Sequence, residues 1–224
     1  ATPIPRTLAM THFADLDVSV IDALPPGRTP VDTRLLSQTR AVEITNRLDA
    51  QFSEGGQAYW VCTLIEETDQ SIAEAAETRA EKLKQQLPHR RVGLVHGRMK
   101  ADDKSQVMAA FSHGDLDLLV ATTVIEVGVN VPNANIMVIE NPERLGLAQL
   151  HQLRGRVGRG ARVSFCLLLA GDTISQQSRD RLNLLKETSD GFILAEADLQ
   201  LRGPGDVIGT RQTGELSFRV ADLT

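Results

Sequence analysis

The 224-residue chain has two cysteines, no long apolar run and no excess of positive charge. Each shortage excludes something. Cys62 and Cys166 lie far apart, each in an apolar stretch, so buried thiols in a reducing compartment are expected rather than a structural disulfide. The longest apolar run, residues 164–170, has only strand length, and there is no signal peptide or lipidation motif. A cytoplasmic chain with no membrane partner is expected. The five histidines show no metal-ligand spacing. His12 and His113 read as surface residues, and His89 follows the helix-ending Pro88. A net charge of −5 and a pI of about 5.6 weigh against strong autonomous binding to nucleic acid. Also missing are a G-x-x-x-x-G-K-[ST] loop and an Asp-Glu pair after a buried strand, the elements that cradle phosphates and hold magnesium.

One basic stretch stands against these absences. Residues 149–160 read Gln-Leu-His-Gln-Leu-Arg-Gly-Arg-Val-Gly-Arg-Gly. Arg156 and Arg159 are three apart, a spacing that on a helix projects both from one face. Gly155, Gly158 and Gly160 allow a backbone or a ligand to approach closely. Paired guanidiniums with an adjacent amide suit a polyphosphate, since the arginine fork matches phosphate oxygens. The bland alternative is a solvated basic turn. With no cradle elsewhere, the chain reads as half of a nucleotide site.

At 42% hydrophobic the chain can bury a sizeable core, as one domain with an appendage or as two small domains. Alternation predicts a strand over 16–24, closed by Pro25-Pro26-Gly27. Helical spacing of Val42, Ile44, Leu48 and Phe52 predicts a helix over 35–52 that stops at Gly55-Gly56. A strand is expected over 58–65. The capping box Ser71-Ile72-Ala73-Glu74 then opens a helix that runs to Leu87. Strands follow at 91–95, 116–122, 135–140 and 163–170, and helices at 101–113 and 147–154. This alternation predicts an α/β fold, a mostly parallel sheet with helices on both faces. After Gly171, helices over 173–188 and 191–201 suggest a helical hairpin. Residues 202–214, rich in glycine and arginine, read as an ordered loop.

Ligands of parallel sheets sit beyond the carboxyl ends of the strands. Three segments are expected there: His96-Gly97 after one strand, Thr122-Thr123 and the run to Asn130 after another, and the arginine–glycine segment. Hydroxyls and amide groups of Thr122 and Thr123 could take phosphate oxygens, or could simply cap a helix.

Residues 1–9 resemble motif III of superfamily 2 helicases without its leading serine, residues 119–134 look like motif V, and residues 149–160 look like motif VI. Glu140-Asn141-Pro142-Glu143-Arg144, with Gly203-Pro204-Gly205 and Gly209-Thr210-Arg211-Gln212-Thr213-Gly214, is similar to the RecG family of bacterial branched-DNA helicases. The transcription–repair coupling translocases share the glycine–arginine tract, but residues 140–144 favour the RecG family. A third reading, a non-catalytic helicase-like interaction lobe, sits poorly with an intact Gln152/Arg156/Arg159 set.

The resemblance implies a RecA-like second motor lobe over 16–171. The end of a linker from the first lobe precedes it (1–15), and a helical hairpin with the TRG (translocation in RecG) loop follows over 172–224. It implies a piece of a longer chain, in keeping with the absent initiator methionine. ATP and Mg2+ would be held mainly by the first lobe. Gln152, Arg156 and Arg159 would face the γ-phosphate, with Arg159 as arginine finger and Arg156 as phosphate sensor. Glu126, Gly128 and Asn130 would line the nucleotide side. Asn130 keeps an acceptor where many relatives carry Asp. His96, Gly97, Thr122 and Thr123 would touch the DNA backbone, and Arg6, Arg202, Arg211 and Gln212 would couple cleft closure to movement. The implied partners are branched or duplex DNA and the N-terminal motor lobe and wedge domain of the same protein. The motor is expected to act as a monomer.

Overall fold

The computed structural model describes residues 30–63, 69–122, 131–160 and 162–202. Six strands form one sheet: β1 (Val31–Ser37), β2 (Gln57–Val61), β3 (Val92–Val95), β4 (Leu118–Ala121), β5 (Ala134–Glu140) and β6 (Ser164–Ala170). Their order is β1-β6-β5-β2-β4-β3, and every pairing is parallel. All residues of β2, β4 and β5 are buried, as expected of strands covered on both faces.

Alternation along these strands builds two cores, one on each face of the sheet. Trp60, Val120, Val138 and Leu169 pack under α1 (Ala41–Ser53) and α2 (Asp69–Gln86). Tyr59, Leu119, Met137 and Leu168 pack under α3 (Ala101–His113), α4 (Leu147–Arg154), α5 (Gln176–Glu187) and α6 (Gly191–Arg202). The Tyr59 and Phe111 rings meet edge to face at 4.9 Å between centroids. Both cysteines are buried and free. Among the described residues no helix is long and apolar enough to cross a membrane.

The α/β expectation holds, and α3 and α4 have the predicted bounds. The first helix is a correction. Residues 31–37 form a strand, followed by a 3-10 turn at Gln38–Arg40, and α1 begins only at Ala41. The local pattern loses to pairing: β1 runs in register with the whole of β6, from Val31↔Ser164 to Ser37↔Ala170. On α1 the inward residues are Ile44, Thr45, Leu48 and Phe52, while Val42 is 57% exposed. The helix α2 starts two residues before Ser71, so Ser71 lies inside its first turn. Gly55 (φ 80°) and Gly114 (φ 85°) follow α1 and α3 in the left-handed region that only glycine enters at low cost. The expected strand over 16–24 lies outside the described residues.

One buried polar side chain ties layers together. Gln57 donates through Nε2 to the carbonyls of Phe111 and Leu116, each at 2.7 Å, linking the end of α3 to the approach to β4. Gln57→Leu leaves both carbonyls without this donor in an apolar setting. We expect a loss of about 1–3 kcal/mol in urea unfolding. A variant as stable as the parent would show that water replaces the amide.

Candidate functional site

The direction of α4 decides where the basic segment lies. The chain leaves β5 at its carboxyl end, turns through a 3-10 helix at Pro142–Arg144, and enters α4 at Leu147. Gln149 accepts the Gly146 N–H at 3.2 Å and closes the first turn. The helix then runs back along the sheet, so its end arrives at the amino ends of the strands. There Asn135 at the start of β5 donates to the Val163 carbonyl at 3.3 Å, and Arg162 donates to the Glu54 carbonyl before β2. The segment expected beyond the carboxyl ends therefore sits at the opposite edge. Arg156 and Arg159 are also not on the helix, which ends at Arg154.

Backbone contacts lock the turn that leaves α4. Gly158 has φ 77°. A Cβ on Gly160 would stand 2.3 Å from the Pro132 carbonyl oxygen, so the two backbones touch where a side chain cannot fit. Val131, beside that contact, is buried in the core.

The cations of the segment divide into two kinds. Arg154 is only 5% exposed. Its Nη1 donates to the carbonyls of Leu185 (2.5 Å) and Thr188 (2.9 Å), and its Nη2 to His151 Nδ1 (2.8 Å). Because arginine only donates, His151 accepts through Nδ1. A buried cation at the carboxyl end of α5 also meets the favourable end of that helix's dipole. Burial holds the Arg154 pKa below its usual value. His151 and Arg154 thus join α4 to α5.

Arg156 and Arg159 are half-exposed, and Gln152 is exposed on the outer face of α4. Arg159 donates Nε to the Gly155 carbonyl at 3.4 Å and forms no ion pair among the described residues. Both guanidiniums act on Tyr59: burial pushes its phenol up to about 12, and the two positive charges oppose that rise. Tyr59 lies in the core beneath α4, the helix from which the arginine turn emerges. Tyr59, the only tyrosine in the chain, belongs to no motif, and nothing in its sequence neighbourhood points to the site.

At the carboxyl edge the structure brings together His96, Gly97 and Thr122. The Thr122 N–H donates to the Val95 carbonyl at 3.2 Å, which sets the ends of β3 and β4 side by side. His96 Nε2 lies 3.3 Å from a Glu77 carboxylate oxygen of α2, and exposed Gly97 accepts from Lys104 Nζ at 2.7 Å. Among the described residues, His96 Nδ1 and Thr122 Oγ1 are buried without a hydrogen-bond partner, uncommon for buried polar atoms. Further along the edge, Thr63 donates to the carbonyls of Glu140 (2.6 Å) and Asn141 (3.1 Å), and Asn141 Nδ2 returns a bond to the Thr63 carbonyl at 3.1 Å. Neither residue was a site candidate from the sequence, although Asn141 lies in the Glu140–Arg144 segment that carries the family resemblance. Arg6, Thr123, Glu126, Gly128, Asn130, Arg211, Gln212 and the side chain of Arg202 lie outside the described residues.

A parallel six-stranded sheet flanked by helices on both faces defines a RecA-like fold. The helicase conserved C-terminal domain matches residues 40–161, and the C-terminal part of RecG domain 3 matches residues 188–224. The chain belongs to the helicase C-terminal domain family, in its RecG branch. It is 62% identical over all 224 residues to the ATP-dependent DNA helicase RecG of Escherichia coli K12, and 49% identical to that of Thermotoga maritima. It spans about a third of the length of these relatives, 32% and 29%. A solved structure of RecG bound to a three-way DNA junction superimposes with TM-score 0.77 at 47% identity, covering 92% of this chain and 27% of that one. Domain 2 of the DEAD-box helicase Mss116p, bound to an RNA duplex, matches at 15% identity with TM-score 0.58, covering 70% of this chain and 61% of that one, and shows the fold alone.

The Gly160–Pro132 contact yields a test. Gly160→Ala drives a methyl into a backbone oxygen, and the turn must shift; we expect a loss of about 1–3 kcal/mol in urea unfolding. Equal stability for Gly160→Ala and the parent would mean that the turn is not locked there.

Proposed function

We propose that this chain is the C-terminal part of an ATP-driven motor on double-stranded DNA, one that remodels branched structures such as stalled forks and Holliday junctions. The observation that carries the reading is the half-exposed pair Arg156 and Arg159 on a turn held against Pro132, in a chain matched along its whole length by RecG relatives. Residues 16–171 form the motor lobe, and residues 172–224 form the hairpin and its loop. Among the described residues no cluster of His, Cys, Asp or Glu could hold a metal ion. We place Mg2+, with most of the ATP contacts, on the other lobe.

In this reading ATP, when bound between the lobes, supplies the phosphoryl transfer whose energy the motor uses. Arg159 neutralises charge that develops on the transferring group, Arg156 holds phosphate oxygens, and Gln152 adds an amide from α4. Half-exposed guanidiniums on a fixed turn fit this role, since the arginine fork suits phosphate. Glu126, Gly128 and Asn130 complete the nucleotide side. His96, Gly97, Thr122 and Thr123 meet backbone phosphates without reading sequence. Arg6, Arg202, Arg211 and Gln212 pass lobe closure to the DNA, a domain-closure mechanism.

Two variants of the full-length protein test this. Arg159→Ala should lower DNA-stimulated ATPase by about 10³-fold or more, the scale of an arginine finger; near-parental turnover overturns the assignment. Arg211→Ala should keep hydrolysing ATP while fork unwinding falls. Joint loss of both activities, in a protein that still folds, would refute the coupling role.

A further inference from the structure

A cleft of about 310 Å³ opens at the carboxyl edge of the sheet, lined by Gln38, Thr63, Arg79, Lys82, Glu140 and Asn141, among others. Its cations, Arg79 and Lys82, belong to no motif. Glu140, the last residue of β5, is 5% exposed. Arg79 of α2 places Nη2 2.7 Å from Glu140 Oε1, and its guanidinium stands over the Trp60 ring, 5.8 Å from the centroid. Burial raises the Glu140 carboxyl above its usual range, against the opposing charges of Arg79 and Lys82. Lys82 follows Arg79 by three residues, about one helical turn, and is exposed.

This arrangement fixes Arg79 without using it up. Its side chain remains 25% exposed. A guanidinium has five N–H donors, and the ion pair with Glu140 engages only the Nη2 end. A carboxylate below and an indole face beside it hold the fork in one orientation, so little side-chain freedom is left to lose on binding. With Lys82 the cleft carries two cations against one buried anion. Thr63 is already engaged with the Glu140 and Asn141 carbonyls, so it serves as framework. The position matters too. Along the carboxyl edge, in strand order, lie His96 after β3, Thr122 after β4, Thr63 after β2, Asn141 after β5 and Gln38 after β1.

We propose that Arg79 and Lys82 form a docking site for a backbone phosphodiester of duplex DNA, extending the edge of His96, Gly97 and Thr122 across β2 to β5. The inference rests on the translocase reading above. The chemistry is that of a phosphate, so the site should be indifferent to base sequence.

The test uses the full-length protein and a fluorescent duplex titrated between 50 and 200 mM NaCl. Lys82→Gln should weaken binding to duplexes of different sequence by similar factors. It should also make the slope of log Kobs against log salt shallower by about 0.9, the contribution of one B-DNA phosphate, or about 3.5-fold less loss of affinity over that range. A fold defect alone would not change the slope by that increment. Arg79→Lys retains a cation for Glu140 but loses the planar fork; it should bind more weakly with a slope near that of the parent. An unchanged slope and affinity in Lys82→Gln overturns the site. In a second arm, hydrogen exchange in α2 is followed with duplex and with millimolar inorganic phosphate. Protection by duplex supports the proposal; protection by inorganic phosphate alone assigns the cleft to a free anion and overturns it. The parent's DNA-stimulated ATPase is measured in the same preparation. Its absence breaks the functional reading itself, whereas its presence with an unchanged slope removes only this site.

Discussion

The contact between Gly160 and the Pro132 carbonyl is the constraint on which the geometry of the arginine turn depends. At that point two stretches of backbone distant in sequence touch with no side chain between them. The approach fixes the turn after α4 against the entrance to β5, next to the chain that follows Asn130. Arg156 and Arg159 leave that turn on either side of Gly158, and their orientation follows from the backbone beneath them. Long side chains on a loose loop would lose orientational freedom on meeting a phosphate. On a turn held by core backbone, much of that loss has already occurred during folding.

A second junction ties the same segment to the helices beyond it. Arg154 and His151 are buried, and Arg154 ends on carbonyls at the carboxyl end of α5. A charge taken out of water must be solvated by fixed dipoles, and here those dipoles belong to another element. A displacement of α4 that broke these bonds would leave a buried cation without partners, so α4 and α5 are expected to move as one body. The described residues thus have two edges with different chemistry. The amino edge carries half-exposed guanidiniums, and the carboxyl edge carries hydroxyl, amide, imidazole and cationic groups. The sheet between them is apolar on both faces and deforms little.

Much of the fold could be read in advance because its signals were local. Four-residue runs such as Leu118–Ala121 have few alternatives to a buried strand, and the bounds of α3 and α4 follow from glycines and from changes of period. The strand β1 could not be read. Asp32 and Arg34 are exposed and Leu35 and Leu36 are half-buried, and the spacing beyond them suits a helix. Only a partner, β6, makes residues 31–37 extended. The same limit applied to the carboxyl-edge cleft: Arg79 and Lys82 are separated from Glu140 by β3, α3 and β4 and carry no spacing that links them to it.

The sequence alone determined which residue types are candidates for phosphate, that the sheet is parallel and doubly covered, and which helicase family the chain resembles. Those properties depend on composition and period, which do not require knowledge of distant contacts. Only the tertiary structure decided that the arginine turn lies at the amino edge and the threonine and histidine at the other, and that Arg154 belongs to the framework. It also decided that a buried carboxylate and an indole hold Arg79 open to solvent. The reason is directional. A helix returning from the end of one strand delivers its last residues to the opposite side of the sheet, and which of its cations are then buried depends on the helices that close over them.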